Sequence, residues 1–326
     1  SQTYEDFELI IIDDASTDNC WAIIKSFKDD RIQAYRNEKN RGLGNIRRAI
    51  NHYAKGKYIA VHHSDDLWEP TKLEKQVKLL NHHPEMGVVF SHVTVIDNFG
   101  ETLCRDEHPY CKIFNQANRS RHEWLRHFFY YGNALCNPSG LRRRELTDKF
   151  PPNPGLYQLP DYYLWVLTCL QYEIHVLQEK LVRFRISRDE SNWSGDKPDT
   201  RIRTQFELSK IYELYSKISS LEEFLLIFPE AHKYIHPKNP DILFALGMIA
   251  VKTGNNAPAR LFGLNLLYDA IIDHNRSENL RRYQGFDQKS FFKLTASSDV
   301  FSIEVLSQKE KELNQCKQKV LYYSQS

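Results

Sequence analysis

Apolar and polar positions follow two different periods along this chain, and one gives way to the other a little past its middle. Phe7 to Ile12 is an apolar run, interrupted only by Glu8 and rich in β-branched residues, which predicts a strand buried on both faces of a parallel sheet. Asp13, Asp14, Ser16, Thr17 and Asp18 end that run and open a predicted helix from Asn19 to Phe27, with Trp21, Ile23, Ile24 and Phe27 on its buried face. Arg31 to Tyr35 reads as a second strand, Asn40-Arg41-Gly42 as a turn, Leu43 to Ala54 as a helix and Tyr58 to His62 as a third strand. The βαβαβ order predicts an α/β layer with a parallel sheet, in which ligands collect at the carboxyl ends of the strands.

Farther along, helices are predicted over Pro70 to Leu80, Arg121 to Tyr131 and Asp161 to Leu170. Gly87 to Ile96 reads as a strand, and Ile174 to Val176 and Leu181 to Ile186 as two extended pieces. After Ser194-Gly195-Asp196-Lys197-Pro198 the period becomes helical, over Thr200 to Lys217, Leu221 to Phe228, Asp241 to Thr253, Ala257 to Asp273 and Ile303 to Tyr322. The expected organisation is an α/β domain over residues 1–195, a helical region over 196–290 and a C-terminal helix within 291–326. The helix pair around Gly254-Asn255-Asn256 resembles one tetratricopeptide-like hairpin. Leu306, Leu313 and Val320 stand seven apart, a spacing open to two readings, a short coiled coil or a solvated terminal helix.

Composition narrows the partners. In 326 residues, 44 lysines and arginines nearly cancel 42 aspartates and glutamates, so no overall field selects nucleic acid or an anionic membrane. The six cysteines are scattered without a CxxC pair, which argues against a disulfide framework or a zinc site and for reduced thiols in a cytoplasmic protein. Apolar runs such as Ile242 to Val251 fall short of the ~20 residues that span a bilayer, which leaves peripheral contact with a membrane surface open.

Two acidic pairs, Asp13-Asp14 and Asp65-Asp66, close two predicted strands in equivalent positions. Carboxylates so placed suit a divalent cation on a diphosphate and the polar groups of a nucleotide, although each pair alone also suits helix capping. No GxGxxG follows any predicted strand, which removes a nicotinamide-binding oxidoreductase from consideration.

The segments LIIIDDASTD, NRGLGNIRR, GKYIAVHHSDDLWEPTKLEKQ and LPDYYLW, in this order, resemble glycosyltransferase family 2 on a GT-A fold over residues 1 to about 195. Relatives open with a strand and loop ahead of the equivalent of Gln2-Thr3-Tyr4, so the resemblance implies a domain without its first strand. It implies nucleoside contacts for Asp13 and Asp14, a place beside the nucleotide for Arg47, metal ligation by Asp65 and a supporting carboxylate in Asp66. His63 stands at the first position of the family's DxD motif, where imidazole can bind Mn²⁺ and suits Mg²⁺ poorly. Asp161 takes the place of the catalytic base, which removes a proton from an acceptor hydroxyl while the anomeric centre inverts. Pro160 replaces the family's preceding glutamate. Arg183 and Arg185 alternate on a strand and would meet the diphosphate. Ser187 stands where many relatives have a histidine.

The function so implied is transfer from a UDP- or GDP-linked sugar to a saccharide or lipid-linked acceptor in surface polysaccharide or lipopolysaccharide assembly, with Mn²⁺ or Mg²⁺ as cofactor. The alternative is a degenerate GT-A scaffold whose helical C-terminal region recruits protein partners.

Overall fold

The structure is a computed structural model that describes residues 1–42, 45, 48–103, 108–186 and 197–324. It divides into two compact units, Ser1–Arg201 and Ile202–Ser326.

In the first unit, β1 (Leu9–Asp13) and β2 (Ile32–Arg36) run parallel as a two-stranded sheet, with α1 (Cys20–Ser26) between them in sequence. A second sheet has five strands in the order β3-β6-β5-β7-β4, built from β3 (Tyr58–Ile59), β4 (Leu67–Trp68), β5 (Met86–Ile96), β6 (Leu141–Arg143) and β7 (Glu173–Arg185). Among the described residues only β5 and β7 are parallel in it, and the pairs β3-β6, β5-β6 and β4-β7 are antiparallel. The single parallel layer expected from the βαβαβ order is therefore two sheets; Asp13 closes β1 of one, whereas Asp65 and Asp66 do not close β3, which ends at Ile59, but lie just before β4 of the other. β1 pairs with β2 alone among the described residues, and Leu9 is exposed. The fully buried strand read from Phe7 to Ile12 is thus half-covered. The buried face expected for α1 is absent as well, since no residue of α1 is buried and Ile23 and Phe27 are exposed.

The five-stranded sheet carries the core. Successive residues of β5 point to opposite faces. Val89 packs with Leu73, Val77 and Leu80 of α2 (Lys72–His82). Phe90, on the other face, meets Trp165 edge-on, with ring centroids 4.8 Å apart. Trp165 belongs to α6 (Pro160–Cys169), which lies against α4 (Arg121–Tyr131), where the Tyr162 hydroxyl donates to Phe128 O at 2.6 Å. α4 starts where the sequence places it because Ser120 and Glu123 form a reciprocal capping box. The two extended pieces read at 174–176 and 181–186 are one strand, β7. α3 (Pro109–Phe114) and α5 (Glu145–Lys149) complete this unit.

α7 (Pro198–Tyr212) runs into the second unit, which continues with α8 (Leu221–Ile227), α9 (Ile242–Thr253), α10 (Ala257–Ile272), α11 (His274–Gln284), α12 (Gln288–Ser297) and α13 (Ile303–Ser324). α9 and α10 cross closely at two glycines, and a Cβ on Gly263 would stand 2.7 Å from Gly247 O. α11 buries only Leu280, so it shows no apolar period in the sequence. Asp273 at its start and left-handed Gly285 at its end define it instead. Among the described residues no helix is long and apolar enough to cross a membrane.

Candidate functional site

The loop after β1 is held tightly. Asp14 accepts from Arg41 N and Gly42 N at 2.8 Å each and from Asn37 Nδ2 at 2.9 Å, so its carboxylate pins the turn 37–42. Burial pushes the Asp14 pKa up, but hydrogen bonds from the Asn37 and Asn45 side chains and the Arg41 and Gly42 amides outweigh it and hold it at about 2. Asp13 is buried, accepts from Ser16 N at 3.2 Å and faces the Arg36 guanidinium at 3.0 Å. Between them and the helix, Ala15 has φ +62°, a left-handed conformation unfavourable for a residue with a Cβ and typical of strain kept at a working loop.

The second acidic pair lies in the turn between β3 and β4, closed by Asp66 N donating to His63 O at 3.2 Å. His63, Asp65 and Asp66 each offer a ligand atom, and these atoms lie within 4.8 Å of one another. Asp66 is the buried member. Its Oδ1 accepts from Arg185 N at 2.9 Å, while its Oδ2 is buried without a hydrogen-bond partner and 3.7 Å from His63 Nδ1. Desolvation raises the Asp66 pKa to about 7, countered in part by the Arg185 amide. Desolvation lowers the His63 pKa, which keeps the ring neutral and able to act as a ligand near neutral pH. An orphaned buried carboxylate oxygen beside a neutral imidazole and an exposed carboxylate fits a divalent cation, and one nitrogen with two oxygens suits Mn²⁺ better than Mg²⁺.

Both arginines of β7 reach this segment. Arg183 Nε donates to Glu69 Oε1 at 2.8 Å, and Arg185 donates through Nε to Asp65 O at 2.7 Å and through a terminal nitrogen to Asp97 O. Their common direction, expected from alternation, puts them to work bracing residues 65–69 against β7.

Asp161 occupies the first turn of α6, after Pro160, and its Oδ1 accepts from Tyr162 N at 2.7 Å. Desolvation raises its pKa to about 6. The buried Cys136 thiol links it to the acidic turn: burial raises the thiol pKa most, and the charges of Asp66 and Asp161 raise it further. Both carboxylates therefore act electrostatically on the same buried thiol. Arg47 and Ser187 lie outside the described residues.

Two groups escaped the sequence reading. Asn37 is buried and serves both Asp14 and Asn45. Lys72 is fully buried, donates to Gln76 Oε1 at 2.9 Å and sits 3.9 Å from the centroid of Trp68, whose ring lies 4.5 Å from that of His62. Their signal was the placement of Lys72 and Gln76 one turn apart on the apolar face of α2, with Leu73, Val77 and Leu80.

Comparison with known proteins follows the same geometry. The family model described as "Glycosyl transferase family 2" matches residues 1–144, which include β1, the Asp14-pinned turn and the His63-Asp65-Asp66 cluster. Residues 1–144 belong to glycosyl transferase family 2. An uncharacterized glycosyltransferase of Methanocaldococcus jannaschii is 29% identical over 221 residues, 66% of this chain and 69% of that protein. The UDP-Glc:alpha-D-GlcNAc-diphosphoundecaprenol beta-1,3-glucosyltransferase WfaP of Escherichia coli is 44% identical over 80 residues, 24% of this chain and 32% of its own length. Among solved structures, S. aureus TarS 1-349 matches 87% of this chain and 85% of its own with a TM-score of 0.50 at 15% identity, a likeness of fold alone. The family 2 transferase domain has the GT-A type of fold, followed by a helical region.

Proposed function

We propose that this chain is an inverting glycosyltransferase that moves a sugar from a UDP- or GDP-linked donor to a saccharide or lipid-linked acceptor in surface polysaccharide assembly, working at the cytoplasmic face of a membrane. The observation that carries the reading is the His63-Asp65-Asp66 cluster with its unpartnered Asp66 Oδ2, set inside a family 2 domain. These three residues would hold a divalent cation, which when bound neutralises the diphosphate leaving group. Asp161, with a pKa of about 6, is ionised near neutral pH and takes the proton of the acceptor hydroxyl as that oxygen attacks the anomeric carbon. Asp13, at the end of β1, is the nearer candidate for a nucleoside contact, because Asp14 already holds the 37–42 turn. Arg183, Arg185 and Arg47 remain candidates for the diphosphate. Similarity to WfaP, which uses UDP-Glc and a diphosphoundecaprenol-linked sugar, favours a UDP-linked donor and a lipid-linked acceptor.

Pro160, in place of a carboxylate next to Asp161, favours a second reading, a GT-A scaffold that has lost catalysis and binds partners through its helical region. Calorimetry separates the two. Titration of UDP and GDP with and without Mn²⁺ should give metal-dependent binding of one nucleotide that Asp65→Ala abolishes. No binding of either nucleotide would leave the scaffold reading in its place.

A further inference from the structure

α13 is a helix of 22 residues whose described side chains from Ile303 to Lys317 are exposed, apart from half-buried Ser307. Ile303, Leu306 and Leu313 are 63%, 59% and 54% exposed. An isolated helix much shorter than this is marginal in water, and helices in proteins owe most of their stability to a packed apolar face. At ~100° per residue, Ile303, Leu306, Glu310, Leu313 and Lys317 share one stripe about 80° wide. Two charges of opposite sign thus sit inside the apolar stripe. They are seven residues and so ~10 Å apart along the axis, too far to pair within the helix.

Any partner that covers this stripe must satisfy Glu310 and Lys317 together. A second copy of the same helix does so in one orientation. Laid antiparallel about a two-fold axis between Leu313 and Asn314, each Glu310 stands level with the other copy's Lys317, and both ion pairs form at once. Laid parallel in register, Glu310 would face Glu310 and Lys317 would face Lys317. The charges of the whole helix favour the same choice. Glu304, Glu310 and Glu312 lie before its midpoint with Lys309 and Lys311, and Lys317 and Lys319 follow it, so the first half is net acidic, the second basic, and unlike halves meet in the antiparallel arrangement.

We infer that α13 is a homodimerisation element that pairs antiparallel with α13 of a second copy, buries Leu306 and Leu313, and takes its register from two reciprocal Glu310–Lys317 ion pairs. An isologous contact of this kind closes on itself and leaves no sticky end. Charged residues within an apolar seam set register at some loss of affinity.

The test is sedimentation of the full chain at micromolar concentration. The wild type should be a dimer, and Leu306→Glu with Leu313→Glu should make it a monomer that still unfolds cooperatively, with any loss of helical content no larger than that of α13 itself. Glu310→Lys should weaken the dimer by at least about tenfold, because it sets Lys against Lys in both pairs. Adding Lys317→Glu to that variant should restore the affinity. A monomeric wild type overturns the inference, as does a dimer indifferent to the leucine changes. Failure of the charge swap to restore association also overturns it, and would leave the stripe to another surface, such as the exposed Tyr268, Ile272 and Phe292 of its own unit.

Discussion

Asp66 is held on one side by Arg185 and left open on the other: its Oδ1 accepts from the Arg185 amide at 2.9 Å, and its buried Oδ2 meets no donor. Replacement by asparagine keeps an oxygen for the Arg185 amide and removes the negative charge that burial disfavours. Asp66→Asn is therefore expected to weaken Mn²⁺-dependent nucleotide binding by at least about 10–100-fold, the range for groups that only support a metal's ligands. It should leave the thermal midpoint at pH 8 equal or higher, since there the wild-type group, with its pKa near 7, is ionised. Calorimetry paired with a melting curve checks both. Unchanged metal dependence would remove Asp66 from the site.

Asp14 should behave in the opposite way. Its pKa lies below the unfolded value, so its hydrogen bonds stabilise the fold fully above about pH 4, and that contribution fades as pH falls through about 2. Asp14→Ala takes the acceptor from the Arg41 and Gly42 amides, and because water can reach the exposed Arg41 amide the expected loss is the net hydrogen-bond value of about 0.5–1.5 kcal/mol near neutral pH. Urea titration at pH 7 measures it. A loss confined to nucleotide binding, with stability intact, would return Asp14 to the direct role read from the sequence.

The two carboxylates illustrate what the sequence could and could not convey. The ordered motifs marked Asp14 and Asp66 as site residues, and apolar periods located β5, α4 and α6 within a residue or two. The tasks of the two depend on partners far along the chain, Arg41 for Asp14 and Arg185 for Asp66, which no local pattern encodes. The sheet failed for a related reason. An apolar run reports that a strand wants cover, not which strand lies beside it, so β1, β2 and β3 looked like one parallel layer, whereas β3 pairs antiparallel with the distant β6. In the second unit, α11 was invisible because capping, not periodicity, defines it.

Lys72 offers a test of the floor beneath the site. Desolvation lowers its pKa to about 7, whereas an unfolded lysine titrates near 10.4. Between these values the unfolded chain binds more protons than the folded one, so stability should rise with pH from about 7 toward 10 by up to ~1.4 kcal/mol per unit. Lys72→Met keeps the length and apolar contact with Trp68 and removes the titrating group, and its stability should lack that rise. Parallel profiles for the two proteins, measured by denaturant titration across this range, would mean that the lysine finds water or a counter-charge on its own.

In the proposed mechanism Asp161 would join catalysis to stability through one titration. Its folded pKa of about 6 lies above the unfolded value near 3.9, so between these values the folded protein binds more protons and wild-type stability declines as pH rises. Above pH 6 the folded protein carries the full penalty of a desolvated carboxylate, and that same ionised state is the one able to accept a proton. Transfer to acceptor, measured at low acceptor concentration with donor and Mn²⁺ saturating so that Asp66 stays ionised, should therefore rise with pH to a plateau with a midpoint near 6. Asp161→Asn should abolish turnover, preserve Mn²⁺-dependent nucleotide binding, and match or exceed wild-type stability at pH 8, with the difference shrinking toward pH 4. A variant that loses nucleotide binding and stability together would show that Asp161 shapes the start of α6 and that the proton is taken elsewhere.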